Sequence, residues 1–130
     1  QRPDMAYRKF ITKALNGEPI TVYGTGEQSR SNTYVDDCVN ATISALTLGK
    51  PGEVYNISGG QERTINEALA IIEAEVGHPL NIERVDPARG DQNRTFGNSA
   101  KAQAALGFSQ SVTLEEGLSR QVAWQRTLER

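Results

Sequence analysis

The stretch from Pro19 to Asp37, PITVYGTGEQSRSNTYVDD, decides how the rest of the chain is read. It opens with a β-branched run, Ile20-Thr21-Val22, and breaks at Gly24-Thr25-Gly26. It resumes as a second extended candidate, SNTYV, and closes on two carboxylates, Asp36 and Asp37, of the kind that favour a helix start. A dinucleotide-binding fingerprint would need three glycines at fixed spacing between a strand and an immediately following helix. Here a polar segment and a strand follow the second glycine, so the pair reads as a tight turn. The two extended runs are expected to pair as a hairpin or as strands joined by a loop of several residues.

Upstream, Pro3 is placed in a first helical turn, and Ala6, Tyr7, Phe10, Ile11, Ala14 and Leu15 share one helical face before Gly17. Downstream, Val39, Thr42, Ile43 and Leu46 recur at helical spacing up to Gly49, and GEVYNIS reads as a strand between glycine turns. Gly59-Gly60 follows that strand without a third glycine and is read as another structural turn. Thr64-Ile65-Asn66-Glu67 has the form of a capping box opening a third helix, with Ile65, Leu69, Ile72 and Val76 inward. PLNIERV is the next strand. The polar segment DPARGDQNRTFGN leads to a short helix from Ser99 to Gly107, and Thr113-Leu114-Glu115-Glu116 caps a last helix through Leu118, Val122 and Trp124. Five helices and about four strands make an α/β or α+β unit.

At 130 residues the chain is one domain's worth. Fourteen basic and sixteen acidic residues, unclustered and with few aromatics, argue against a nucleic-acid partner. The single Cys38 excludes an internal disulfide and a thiolate zinc site, which points to a reducing, cytoplasmic compartment. No run approaches the roughly 20 apolar residues of a bilayer span. A start at Gln1 reads as a piece of something longer.

Chemistry-bearing residues are sparse. His78 lies in a turn beside Gly77 and Pro79, and no Tyr and Lys stand three residues apart on a helix wall, the spacing by which lysine lowers a tyrosine pKa. Arg30, beside the first turn, and Arg89, in the polar loop with Asp91 close behind, carry the forked donors that suit phosphate.

The order of these segments closely resembles the C-terminal part of NAD-dependent nucleotide-sugar epimerases and dehydratases, the extended short-chain dehydrogenase/reductase family. The resemblance runs along essentially the whole chain. It is strongest in GEPITVYGTGEQSR…TYVDD and in the Arg89-Gly90-Asp91 to Lys101 spacing. It implies an α/β substrate-binding portion without the N-terminal Rossmann half, with residues 35–58 returning to the Rossmann sheet of the parent. That absent half would supply the NAD site and the catalytic Ser/Thr, Tyr and Lys.

For this chain the resemblance implies a UDP-sugar site. Thr21 and Tyr23 would lie at the uracil, Arg30 at the diphosphate, Asn32 facing the nucleotide, and Arg89 and Asp91 at phosphate and ribose. The sequence departs from the family pattern where Arg89 directly precedes Gly90, where Asn32 replaces an often aromatic residue, and where Gly97-Asn98 replaces Ala-Asp. The implied activity is a UDP-sugar 4-epimerase whose NAD exchanges a hydride at the sugar C4, with the fragment alone inactive. The alternatives are a UDP-glucuronate decarboxylase or hexose 4,6-dehydratase, or a non-catalytic nucleotide-sugar or redox-sensing binding protein. The implied parent is a homodimer, and the fragment is expected to self-associate.

Overall fold

The computed structural model of the chain describes residues 2–87 and 89–128. Its elements run α1 Ala6–Leu15, β1 Ile20–Tyr23, β2 Ser29–Ser31, α2 Val35–Leu48, β3 Glu62–Thr64, α3 Ile65–Val76, β4 Ile82–Val85, β5 Arg94–Thr95, α4 Ala100–Leu106 and α5 Leu114–Leu128. The architecture is mixed α/β, as read from sequence. Two small sheets carry the site: β1 pairs in parallel with β4, and β2 lies between an antiparallel β3 and a parallel β5.

β1 alternates as its sequence requires. Ile20 and Val22 are buried, while Thr21 and Tyr23 share the outer face. The apolar side meets Tyr7, Ile11 and Ala14 of α1, Leu69 and Ile72 of α3, and Leu118 and Val122 of α5, forming the main core. α3 starts with the expected capping box: the Glu67 amide donates to Thr64 Oγ1 at 3.1 Å, and the Glu67 carboxylate accepts from the Thr64 amide at 2.7 Å. It stops where Gly77 takes φ +84°. Thr113 accepts from the Glu116 amide at 3.2 Å, so α5 is capped on that side, but the Glu116 carboxylate goes to Arg120 instead of closing a box.

Four expectations are corrected. α1 begins at Ala6, with Pro3 in the turn before it, because Met5 is still extended. β1 and β2 do not pair with each other: β1 pairs with β4, which sets Ile82 opposite Ile20, whereas Ser29-Arg30-Ser31 has no apolar side chain to offer. The second strand lies at Ser29–Ser31, earlier than SNTYV. GEVYNIS forms no strand, since no described strand lies beside it; Tyr55 and Ile57 pack instead on the smaller cluster of Ala41, Ala102, Leu106 and Phe108. Trp124 faces outward, with the Arg8 guanidinium 5.4 Å from its ring centre.

The stripe that marks α2 in the sequence is also outward. Val39, Ile43 and Leu46 are exposed, Leu46 to 82%, and Val54 beyond the helix to 75%. What α2 buries is Ala41 and a charge, Asp37. The Asp37 carboxylate accepts from the Ser111 amide and hydroxyl and from the Val112 amide, which ties the start of α2 to the segment leading into α5. Burial alone would raise its pKa. The Ser111 hydroxyl, the two amides and the nearby Arg120 outweigh burial and hold it below the ordinary value of 3.8.

A carboxyl with a depressed folded pKa stabilises the fold fully at neutral pH. Its contribution declines as pH drops below 3.8 and is gone below the folded value. Asp37→Ala is therefore expected to cost about 3 kcal/mol at pH 7 in urea unfolding, because it strands buried donors. Asp37→Asn should flatten the acid limb of the stability profile.

Candidate functional site

The turn after β1 is closed by its own hydrogen bonds. The Gly24 amide donates to the Val85 carbonyl at 2.8 Å, extending the β1–β4 ladder, and the Glu27 amide donates to Thr25 Oγ1 at 3.3 Å. The Thr25 carbonyl accepts from Asn66 Nδ2 and Arg84 Nη1, and the Asn66 amide donates to the Gly26 carbonyl at 3.0 Å. With the Gly24 and Glu27 amides and the Thr25 and Gly26 carbonyls bonded to protein partners, and no helix following, this is a structural turn. Gly26 is required twice over: its φ is +80°, and a Cβ there would lie 2.2 Å from Asn66 Oδ1. Gly59, from the other glycine pair, also serves close packing, since a Cβ would lie 1.7 Å from the Asn32 carbonyl.

Leaving the turn, β2 carries Arg30. Its Nη2 donates to Asp91 Oδ1 at 2.9 Å and its Nη1 to the Ser29 carbonyl at 2.8 Å. Two residues 61 apart in sequence are thereby joined at the edge of an open groove of about 330 Å³. Tyr23, Gln28, Pro87 and Asn93 line it together with two carboxylates, Glu27 and Asp91. Tyr23 is half-exposed, with Thr21 behind it on the same face of β1. Arg89 is exposed in the turn just before Asp91. The fold thus brings Tyr23 and Asp91 to one opening, with Arg30 tied to it through Asp91.

Asn32 goes elsewhere. Its Nδ2 donates to the Tyr7 hydroxyl at 2.8 Å, and it lines a smaller cavity of about 140 Å³ with Arg63, Gln110 and Ser111. Burial pushes the Tyr7 pKa up, against the lowering effects of Asn32, Arg30 and Arg63, so the phenol stays protonated at neutral pH.

Arg63 was not legible in the sequence. β3 sets it directly across from Arg30, and like charges so placed repel. Carboxylates offset this on both sides. Asp91 takes Arg30, while Arg63 pairs with Glu115 and lies 3.4 Å from Glu67, a contact through its buried Nε that is an ion pair without hydrogen-bond geometry. On the opposite face of the sheet, Arg94 holds Glu62 with two bonds of 2.7 Å. The only available signal for Arg63 was its place just before the Thr64 cap, which does not mark a site.

Among the described residues no group of His, Cys, Asp and Glu could hold a metal ion, and no helix is long and apolar enough to cross a membrane. His78 is exposed, with Nδ1 3.1 Å from the Pro79 carbonyl. The described residues contain no strand, glycine-rich turn and helix in the arrangement that holds NAD, so they do not fit that cofactor.

Comparison with known proteins defines the class. Residues 1–58 match the model of the NAD dependent epimerase/dehydratase family. UDP-glucose epimerase YtcB of Bacillus subtilis, itself uncharacterized, is 34% identical over 98% of this chain and 41% of its own length. The crystal structure of a Bacillus cereus UDP-glucuronic acid 4-epimerase with UDP-glucuronic acid and NAD superposes at TM-score 0.93 and 33% identity, covering 98% of this chain and 41% of that one. A Thermotoga maritima UDP-glucose 4-epimerase with UDP-glucose gives 0.94 and 31%, covering 100% of this chain and 43% of that one. The chain belongs to the NAD-dependent epimerase/dehydratase family, within the extended short-chain dehydrogenases/reductases. It spans about 40% of the length of these curated relatives.

The turn that delivers Arg30 can be tested by glycine substitution. Gly17→Ala, at φ +67° with open space around it, should cost about 1 kcal/mol for left-handed backbone alone. Gly26→Ala adds displacement of Asn66 and should cost about 2 kcal/mol or more in thermal unfolding.

Proposed function

We propose that this chain is the nucleotide-sugar-binding part of an NAD-dependent UDP-sugar 4-epimerase-like enzyme. The observation that carries the reading is an open groove lined by Tyr23 of β1 and Asp91 of the β4–β5 loop, with Arg30 of β2 tied to it by the ion pair to Asp91. A guanidinium at the groove edge suits a diphosphate, since its forked donors take two oxygens and never lose charge. The outer face of β1, with Thr21 and Tyr23, offers the base a flat wall. Arg89 reaches the diphosphate from the loop, and Asn32 acts from behind Arg30 through Tyr7. Binding energy from this remote group would orient the sugar ring for chemistry elsewhere.

NAD supplies hydride transfer at the sugar C4 when bound. The described residues do not supply its site. Relatives of similar identity named dTDP-glucose 4,6-dehydratase, at 33%, and UDP-glucuronic acid decarboxylase 1, at 36%, keep dehydration and decarboxylation as second readings. Nucleotide binding is common to all three readings.

Residues 35–58 are assigned as the part that docks on the cofactor-binding sheet. The outward stripe of Val39, Ile43 and Leu46 and the unpaired, extended GEVYNIS segment support this, because such a surface in water favours association. The fragment should therefore self-associate with rising concentration in sedimentation experiments, and Leu46→Glu should suppress it.

Calorimetry tests the site. Weak UDP binding is expected from this chain alone, and Arg30→Ala should remove about 2 kcal/mol of it. Unchanged affinity in Arg30→Ala would refute the site, and tight NAD binding would refute the domain assignment.

A further inference from the structure

Arg30 stands on a strand with no apolar side chain, so backbone pairing and the turn before it set its place at the groove. We propose that Asn66, at the start of α3, is a positioning residue: its side chain clamps the β1–β2 turn and so fixes where Arg30 meets the diphosphate. The proposal rests on reading the groove as a UDP site.

Asn66 is half-buried and commits its side chain and its amide to that turn. Nδ2 donates to the Thr25 carbonyl at 3.1 Å and to the Glu27 carboxylate at 2.5 Å, and the Asn66 amide donates to the Gly26 carbonyl at 3.0 Å. Oδ1 accepts from Arg84 Nη2 at 3.0 Å, while Arg84 Nη1 donates to the same Thr25 carbonyl at 2.5 Å. One residue earlier, the Ile65 amide donates to the Gln28 carbonyl at 3.2 Å. The first amides of a helix have no partner within it, and here the turn supplies the acceptors.

The clamp has work to do because β1 and β2 lie in different sheets. Tyr23 is held by β4 and by the burial of Ile20 and Val22, but the path from there to Arg30 runs through Gly24 and Gly26, both at positive φ. Glycines leave an unsupported segment many conformations. α3 is a firm support, since Ile65, Leu69 and Ile72 sit in the main core. A turn already held in its binding geometry loses less freedom when the ligand arrives, and a displaced guanidinium loses the aligned contact on which phosphate binding depends.

The test titrates UDP into the wild-type chain, Asn66→Ala, Arg30→Ala and the double variant, each well below its melting temperature so that folded protein is read. Asn66→Ala should weaken UDP about tenfold. Acting through Arg30, it should add less than about twofold in the Arg30→Ala background. A purely structural role would lower the melting temperature and leave the affinity of the folded chain unchanged, and that result would overturn the proposal. An undiminished further loss in the Arg30→Ala background would overturn it too. Asn66→Asp serves where Asn66→Ala does not fold: it sets a second carboxylate against Glu27 and should weaken UDP as strongly. Adding Glu27→Gln gives the new carboxylate an amide donor and should recover most of the loss, measured against Glu27→Gln alone; no recovery would contradict the clamp.

A ligand-free measurement separates this from the UDP reading. The Ile65 amide bonds to the turn through backbone alone, so its hydrogen exchange reports whether the Asn66 side chain holds the turn in place. Exchange there should quicken about fivefold or more in Asn66→Ala. Helix fraying does not mimic this, because alanine is the better helix former. If the wild type binds no UDP, the groove reading fails, and the exchange rate decides the clamp. Identical rates in the two proteins would overturn it.

Discussion

The backbone pairing of β2 with strands on both sides is the constraint from which the site follows. Ser29–Ser31 takes Glu62–Thr64 on one edge and Arg94–Thr95 on the other, so three segments far apart in sequence meet on three short polar strands. The apolar core contributes nothing directly here, since every residue of β2 is only half-buried. Register alone puts Arg30 opposite Arg63 and beside the loop bearing Asp91. The repulsion between facing cations is of order 0.2–1 kcal/mol, small enough for Asp91, Glu67 and Glu115 to offset.

Around that strand the molecule is uneven. α1, β1, α3 and α5 enclose a true core, in which Ile11, Ile20 and Ile72 are completely buried. The second cluster, under α2 and α4, is thin, and Asp37 rather than apolar packing fixes the start of α2. Charged hydrogen bonds do there what aliphatic side chains do in the larger core, which makes that junction sensitive to acid. It also leaves the apolar stripe of α2 available for a surface outside the described residues.

Local signals in the sequence were legible where they act alone. The Thr64 capping box and Gly77 and Gly107 as helix stops each act locally, and the β-branched run marks β1 although its ladder is completed by β4. β3 and β5 were not legible, because two- and three-residue polar strands exist only through their partners. GEVYNIS failed in the opposite sense, carrying strand composition with no described strand beside it. Arg30 stood out by its chemistry and Asp91 by its place beside Arg89, the resemblance gave both their roles, and their pairing across 61 residues has no local signature. The hydrogen bond from Asn32 to the Tyr7 hydroxyl joins residues 25 apart and has no local signature either.

The central claim is that the groove between the β1 turn and the β4–β5 loop receives the nucleotide. Titrating UDP into isotope-labelled protein and following backbone amide shifts tests it most directly. The account requires the largest changes at residues 21–30 and 89–95, with those near Gln110 and Ser111 unaffected. Changes centred on the Asn32, Arg63 and Gln110 cavity, or none at millimolar UDP, would contradict it.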